Sequence, residues 1–182
     1  MRGFGHTLRG IPSSSPAFGY ASPSVAAILA REARVDVKLR SEEARIRVGV
    51  SSCLLGERVR FDGGHKRDPF LADRLGPHVE WVPVCPEVEV GMGVPRPTLR
   101  LQKVGGELRV LEIESGRDHT RAMERCARRR VSALRRLDLC GYVLKRGSPS
   151  CGMERVKVYS DKGRPRQDGR GLYAAVLLRA LP

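Results

Sequence analysis

The chain has 182 residues, enough for one domain with a substantial core, and its 41% hydrophobic and 30% charged content is ordinary for a globular protein. No uninterrupted apolar run approaches the ~18 residues of a helical membrane span, so no membrane partner is expected. Lys and Arg outnumber Asp and Glu by 34 to 20, a net charge of +14 that attracts polyanions without specifying one, which leaves nucleic acid as an allowed but unspecific partner.

From Met1 to about Ala44 the sequence is rich in Gly, Pro, Ser and Ala, with a short helical pattern only from Ser24 to Ala33. Such a stretch buries too little apolar surface to offset the entropy of ordering, so residues 1–44 are expected to form a disordered or loosely packed arm. Glu32, Asp36, Glu42 and Glu43 argue against a targeting peptide, and no secretory pattern is present. The ordered domain is expected over 45–182.

That domain opens with Ile46 to Ser51, an apolar run read as a buried strand that breaks at Cys53-Leu54-Leu55-Gly56. Asp62-Gly63-Gly64 signals a turn, Pro69 to Leu75 a short helix, and Val79 to Val84 a second strand ending in Cys85-Pro86-Glu87. Thr98 to Val104 and Glu107 to Ile113 alternate apolar and polar residues around Gly105-Gly106, the pattern of a hairpin. A helix is expected from an N-cap at Asp118, with Met123, Cys126, Ala127, Val131, Leu134 and Leu137 along one stripe. Its other face carries a dense cluster of arginines, from Arg121 to Arg136, which reads first as a solvated face. Gly141 to Leu144 is a third buried strand, Val156 to Tyr159 a fourth, and Gly171 to Leu181 a closing amphipathic helix. The fold expected is α/β: a single domain with a small, mostly parallel sheet flanked by helices, plus a β-hairpin.

Three of the five cysteines share a setting. Cys53, Cys85 and Cys151 each follow a strand-like run and sit in a turn beside Gly or Pro. In an open α/β sheet the loops after the strands' carboxyl ends converge, so three such thiolates suggest a metal centre with one open position. Cys126 falls on the helix's apolar stripe and Cys140 just before a strand, where free cysteines act as small hydrophobes. The odd count and the lack of a dense ladder point to a reducing cytoplasm with thiols available for metal. No Cys-x-x-Cys pair is present, which disfavours structural zinc, whereas three thiolates on a 4Fe-4S cluster leave one iron open to substrate. Spacing alone does not decide between cluster, zinc and thiol catalysis.

Taken in order, Ser52-Cys53-Leu54-Leu55-Gly56, Val59-Arg60-Phe61-Asp62-Gly63-Gly64, Cys85-Pro86-Glu87 with Pro95-Arg96-Pro97, and Ser148-Pro149-Ser150-Cys151-Gly152 resemble the 2-thiouracil desulfidase family, long known only as a domain of unknown function. The likeness runs from about Ile46 to Leu181. It implies a 4Fe-4S cluster held by three cysteines, here Cys53, Cys85 and Cys151. It also implies non-redox removal of sulfur from 2-thiouracil or a similar thioamide, with the substrate sulfur on the unligated iron. The stretch from Val88 to Leu101 looks more like a subgroup that usually carries an extra carboxyl-terminal domain, so the cluster is the firmer expectation and the substrate the looser one.

Sulfur departure needs proton delivery and water attack needs a base. Glu87, two residues past a proposed ligand, is the first candidate, with the alternative role of a helix N-terminal carboxylate. Asp62 is the second, with the alternative of ordering its own turn. Ser150 and Ser148 are candidate hydrogen-bond donors to substrate or cluster, and Arg60 and Arg96 candidate substrate-binding residues. The competing class is a non-catalytic zinc or nucleic-acid binding protein using the arginine-rich helix; a third is a thiol enzyme with one activated cysteine.

Overall fold

The computed structural model describes residues 45–160 and 164–181; the expected amino-terminal arm lies outside the described residues. Strands β1 (Ile46–Ser51), β2 (Val79–Val84) and β5 (Gly141–Val143) form a parallel sheet in the order β2-β1-β5. β1 pairs with β2 along its full length, Ile46 opposite Val79 through Ser51 opposite Val84. Its first residues are exposed and its last three buried, so the strand runs from the surface inward and delivers its carboxyl end to the interior. Gly49 in the middle of β1 is required by packing: a Cβ there would lie 2.2 Å from the Tyr142 ring of β5.

The remaining strands form a second sheet. β3 (Leu99–Val104) and β4 (Glu107–Glu112) make the expected hairpin, with both turn glycines at positive φ. β6 (Val156–Tyr159) pairs parallel to β3, and β7 (Arg166–Gly169) pairs antiparallel to β6, giving the order β4-β3-β6-β7. The hairpin is therefore not an appendage, and the fourth buried strand joins it instead of the parallel sheet. β7 was not anticipated, because Arg-Gln-Asp-Gly carries no apolar alternation.

Three helices pack on this frame: α1 (Pro86–Glu89), α2 (Thr120–Leu134) and α3 (Leu172–Ala180). α2 begins after His119, one residue later than expected, and Asp118 contributes by accepting the Thr120 N–H at 2.8 Å. Its apolar stripe joins the two sheets. Ala127, Val131 and Leu134 pack with Val84, Tyr173 and Leu177, while Met123 packs among Leu99, Leu101, Val110, Val156 and Val158. The segment Phe70–Leu75 is one wide helical turn, followed by a tighter turn at Gly76–His78. Among the described residues, no helix is long and apolar enough to cross a membrane.

A polar cluster built on the buried Glu112 and His119 closes the hairpin end. His119 Nε2 lies 2.6 Å from Glu112 Oε1, and the Ser115 hydroxyl donates to Glu112 Oε2. The Ser115 hydrogen bond, then that of His119, hold the Glu112 carboxyl below its ordinary range. A depressed carboxyl contributes stability above its unfolded value and loses it as pH falls through the folded one. Glu112→Gln is therefore expected to melt below the parent at neutral pH, with the gap closing as pH falls through the carboxylate range. Thermal melts from about pH 7 to about pH 3 check this; a gap independent of pH would exclude the charge as its source.

Candidate active site

The three strands of the parallel sheet end on one side, and each exit carries a cysteine. Cys53 lies in the turn after β1, Cys85 directly after β2, and Cys151 in the loop after β5. All three line a single cavity of about 270 Å³, together with Glu87, Arg96, Arg60, Ser148 and Lys145. That volume is at the small end for ligand sites, which run to roughly 300–1,000 Å³, and suits a small heterocycle. Cys126 is buried on α2 beside Glu89, outside the cavity, and Cys140 is exposed instead of packed as a small hydrophobe.

Local structure sets each thiol. In the first turn, the Cys53 carbonyl accepts the Lys66 N–H at 2.8 Å, folding the loop back across the strand end. Cys85 caps α1, where Pro86 starts the helix, and its Sγ donates to the Val59 carbonyl at 3.7 Å. The Cys151 loop hangs on the amino-terminal end of α3. Gly171, Leu172 and Ala174 donate their N–H groups to the carbonyls of Gly152, Pro149 and Ser150 at 2.7, 3.0 and 3.1 Å. A Cβ on Gly171 would lie 2.4 Å from the Ser150 carbonyl oxygen, so only glycine permits this approach. Within the loop, the Ser148 hydroxyl accepts the N–H groups of Ser150 and Cys151, which makes Ser148 the pin of the turn as well as a wall of the cavity.

The thiols feel one another. Burial pushes the Cys53 pKa up, the neighbouring Cys85 adds to this, and Lys145 and Arg60 oppose it. Burial also raises Cys85, against the N–H groups of Val88 and Glu87 at the start of α1. Cys151 is pushed far up, chiefly by burial, with Glu87, Cys85 and Cys53 contributing and a hydrogen bond from Ser51 opposing. Cys85 raises Cys53, and both raise Cys151, a like-charge burden that a positive centre among the three would relieve. Among the described residues, no group of three or more His, Cys, Asp and Glu side chains is arranged to hold one metal ion. A single zinc needs all its donors about 2.0–2.3 Å away, whereas a polynuclear cluster takes each thiolate on its own iron.

Glu87 is the one carboxylate among the described residues lining the cavity. Its Oε2 takes the Arg96 guanidinium at 2.8 and 2.9 Å, and its Oε1 accepts the Ser150 hydroxyl at 2.7 Å. Ser150 is fully buried and does not itself line the cavity. The Arg96 side chain is only 3% exposed and spends its donors on Glu87 and the carbonyls of Gly93 and Val59. Arg96 lines the cavity and clamps Glu87 to the Val59 loop. Asp62 is not brought to the cavity: its exposed carboxylate accepts the Gly64 N–H at 3.0 Å and lies 3.4 Å from Arg60. The Gly64 bond, then Arg60, hold its carboxyl below the ordinary range, so Asp62 orders the Asp-Gly-Gly turn.

Two site residues escaped the sequence reading. Ser51 ends β1 with its hydroxyl accepting the Lys145 N–H at 3.0 Å, 94 positions away, and so ties the first strand to the Cys151 loop. Lys145 lines the cavity near Cys53 and joins Arg60 as a second cation there. A lone serine at a strand end and a lysine two residues past another give no sequence signal of their meeting.

The family pattern described as 2-thiouracil desulfurase matches residues 48–182, nearly the whole of the described domain. The chain belongs to this family. Among solved structures it is similar to the 4Fe-4S-dependent thiouracil desulfidase TudS (DUF523Vcz), with 34% identity and a TM-score of 0.61, over 74% of this chain and 85% of that one. Among curated proteins it is 28% identical over 136 residues to the uncharacterized protein YbbK of Bacillus subtilis (strain 168), which is 72% of this chain and 89% of that protein. The two-sheet α/β architecture is the fold of the desulfidase structure.

Proposed function

We propose that this chain is an iron-sulfur-dependent desulfidase that converts a thiolated nucleobase, 2-thiouracil or a similar thioamide, to its oxo counterpart and sulfide without redox change. The observation that carries the reading is the cavity itself, where three thiols from three parallel strand ends face the single lining carboxylate. Cys53, Cys85 and Cys151 are the residues to hold a 4Fe-4S cluster, and their soft sulfur donors suit it. When bound, such a cluster supplies a Lewis-acidic iron with affinity for the soft sulfur of a thiocarbonyl.

The rest falls to the chain's own residues. The overall change replaces sulfur by the oxygen of water, so protons have to leave that water and reach the departing sulfide, and no electrons are needed. Glu87 is the group to take and return the proton, through Oε1, where the Ser150 hydroxyl holds it. Arg96 fixes the other oxygen and balances its charge. Lys145 and Arg60 supply positive charge on the wall near Cys53, against the charge of thiolates and developing sulfide. Ser148, its oxygen already accepting two N–H groups, has its hydroxyl hydrogen to offer toward the cavity.

The test is anaerobic reconstitution followed by a screen of thiolated pyrimidines, purines and nucleosides. Iron and acid-labile sulfide in the protein, with sulfide released in step with the oxo product, are expected. A colourless zinc-loaded protein that releases no sulfide would refute the proposal.

A further inference from the structure

The outer face of α2 has no part in the cavity. Arg121, Arg125, Arg128 and Arg129 are all exposed on the helix, and Arg135 and Arg136 continue the line in the turn beyond it. At 100° per residue these six fall in one lengthwise stripe opposite the buried Met123, Ala127 and Leu134, and 15 helical residues give the stripe a length of about 22 Å. None of the six lies within ion-pair distance of a carboxylate among the described residues; Arg130, turned toward α1, is the one committed to an acid, Glu89. Arg129 reaches only the Cys126 sulfur, at 4.0 Å.

Such a face works against the stability of its own helix. Arg121 with Arg125, Arg125 with Arg128, and Arg125 with Arg129 are like charges at spacings of three and four, which destabilise a helix where alternating signs would stabilise it. Glu124, three residues from Arg121 and four from Arg128, is the one acid on α2 and lies within ion-pair distance of neither, so the row keeps a net positive charge that calls for an external counter-charge of repeating negative sign. Guanidinium forks match phosphate oxygens in bidentate geometry. A membrane surface fits less well, because a surface-lying helix inserts its apolar face, and here that face is buried in the core against α3 and the sheets. The stripe presents no Asn or Gln to read adenine and no aromatic side chain for a base to stack on; its arginines can fork onto guanine as well as onto phosphate, and the base-composition arm of the test below separates the two.

We propose that the arginine stripe of α2 docks the sugar–phosphate backbone of a nucleic acid strand, irrespective of base sequence. The inference stands apart from the desulfidase reading, since it uses no cavity residue. Phosphate contacts of this kind position a chain without specifying sequence, and their affinity falls steeply with salt.

The test is fluorescence anisotropy of short labelled RNA and DNA strands of mixed sequence with the full chain, between ~50 and ~200 mM salt. A variant with Arg121, Arg125, Arg128 and Arg129 all changed to Gln is expected to bind roughly tenfold or more weakly, with the slope of log K against log salt shallower by about 3 for single strands. It should melt no lower than the parent, because neighbouring like charges have been removed. The control changes Arg58, Arg74, Lys103 and Lys157 to Gln, four exposed cations elsewhere with the same loss of charge. Equal weakening in both variants would reduce the effect to net charge and overturn the proposal. So would absence of salt-dependent binding by the parent, a preference of tenfold or more for one base composition, or tighter binding to phosphatidylserine vesicles than to the oligonucleotides.

Discussion

Replacing Cys53, Cys85 or Cys151 by Ala is expected to abolish cluster loading in each case, because each thiol comes from a different strand end and none can be supplied by its neighbours. The readouts are visible absorbance, iron and acid-labile sulfide after anaerobic reconstitution, with circular dichroism to show that the fold persists. Cys140→Ala removes an exposed thiol and should load fully. Cys126→Ala shortens a buried side chain and should cost about 1 kcal/mol of stability while loading normally. Full iron content in any one of the first three variants would remove that cysteine from the ligand set, and loss of iron in folded Cys126→Ala would draw the set wrongly.

Glu87→Gln should have the second largest effect. The substitution keeps the side chain's shape and removes its basicity, so turnover per cluster is expected to fall about 10²-fold or more. It also takes the counter-charge from a guanidinium that is almost wholly buried, which should lower stability by about 3 kcal/mol. Sulfide release normalised to cluster content, measured well below the variant's melting temperature, separates the two. Turnover within a few-fold of the parent would eliminate Glu87 as the base and turn attention to Lys145, the other proton-exchanging side chain on the cavity wall.

The parts of this architecture that were legible in the sequence are those written locally. β1 and β2 have the bounds read from their apolar runs, interrupted by the exposed charges Arg47 and Glu80, and Gly or Pro beside the cysteines marks where they stop. The hairpin was legible from its alternation and paired glycines. What was not legible depends on which segment meets which. Nothing in Val156–Tyr159 says that it will pair with β3 and not β1, and β7 gains its partner from position, not from its polar residues. The site divides in the same way. The thiols and Glu87 stand out by context, but Arg96 reads as a free cation until the Gly93 and Val59 carbonyls and the Glu87 carboxylate are seen around it. Ser150 was legible as a polar residue beside a ligand, though not as the group bonded to a carboxylate 63 positions earlier.

The dependence of the Cys151 loop on the first turn of α3 also dictates an order of biogenesis. Cys53 and Cys85 leave the ribosome early, but the N–H groups that fix the third thiol belong to Gly171, Leu172 and Ala174, about 120 residues after the first cysteine. At synthesis rates of about 5–20 residues per second that interval is on the order of ten seconds. Cys53, then Cys85 and finally Cys151 are made within that interval, all before Gly171, so the nascent chain carries its thiols before the nest that fixes the third is complete, and a cluster held by the three as proposed above would be received only after α3 docks.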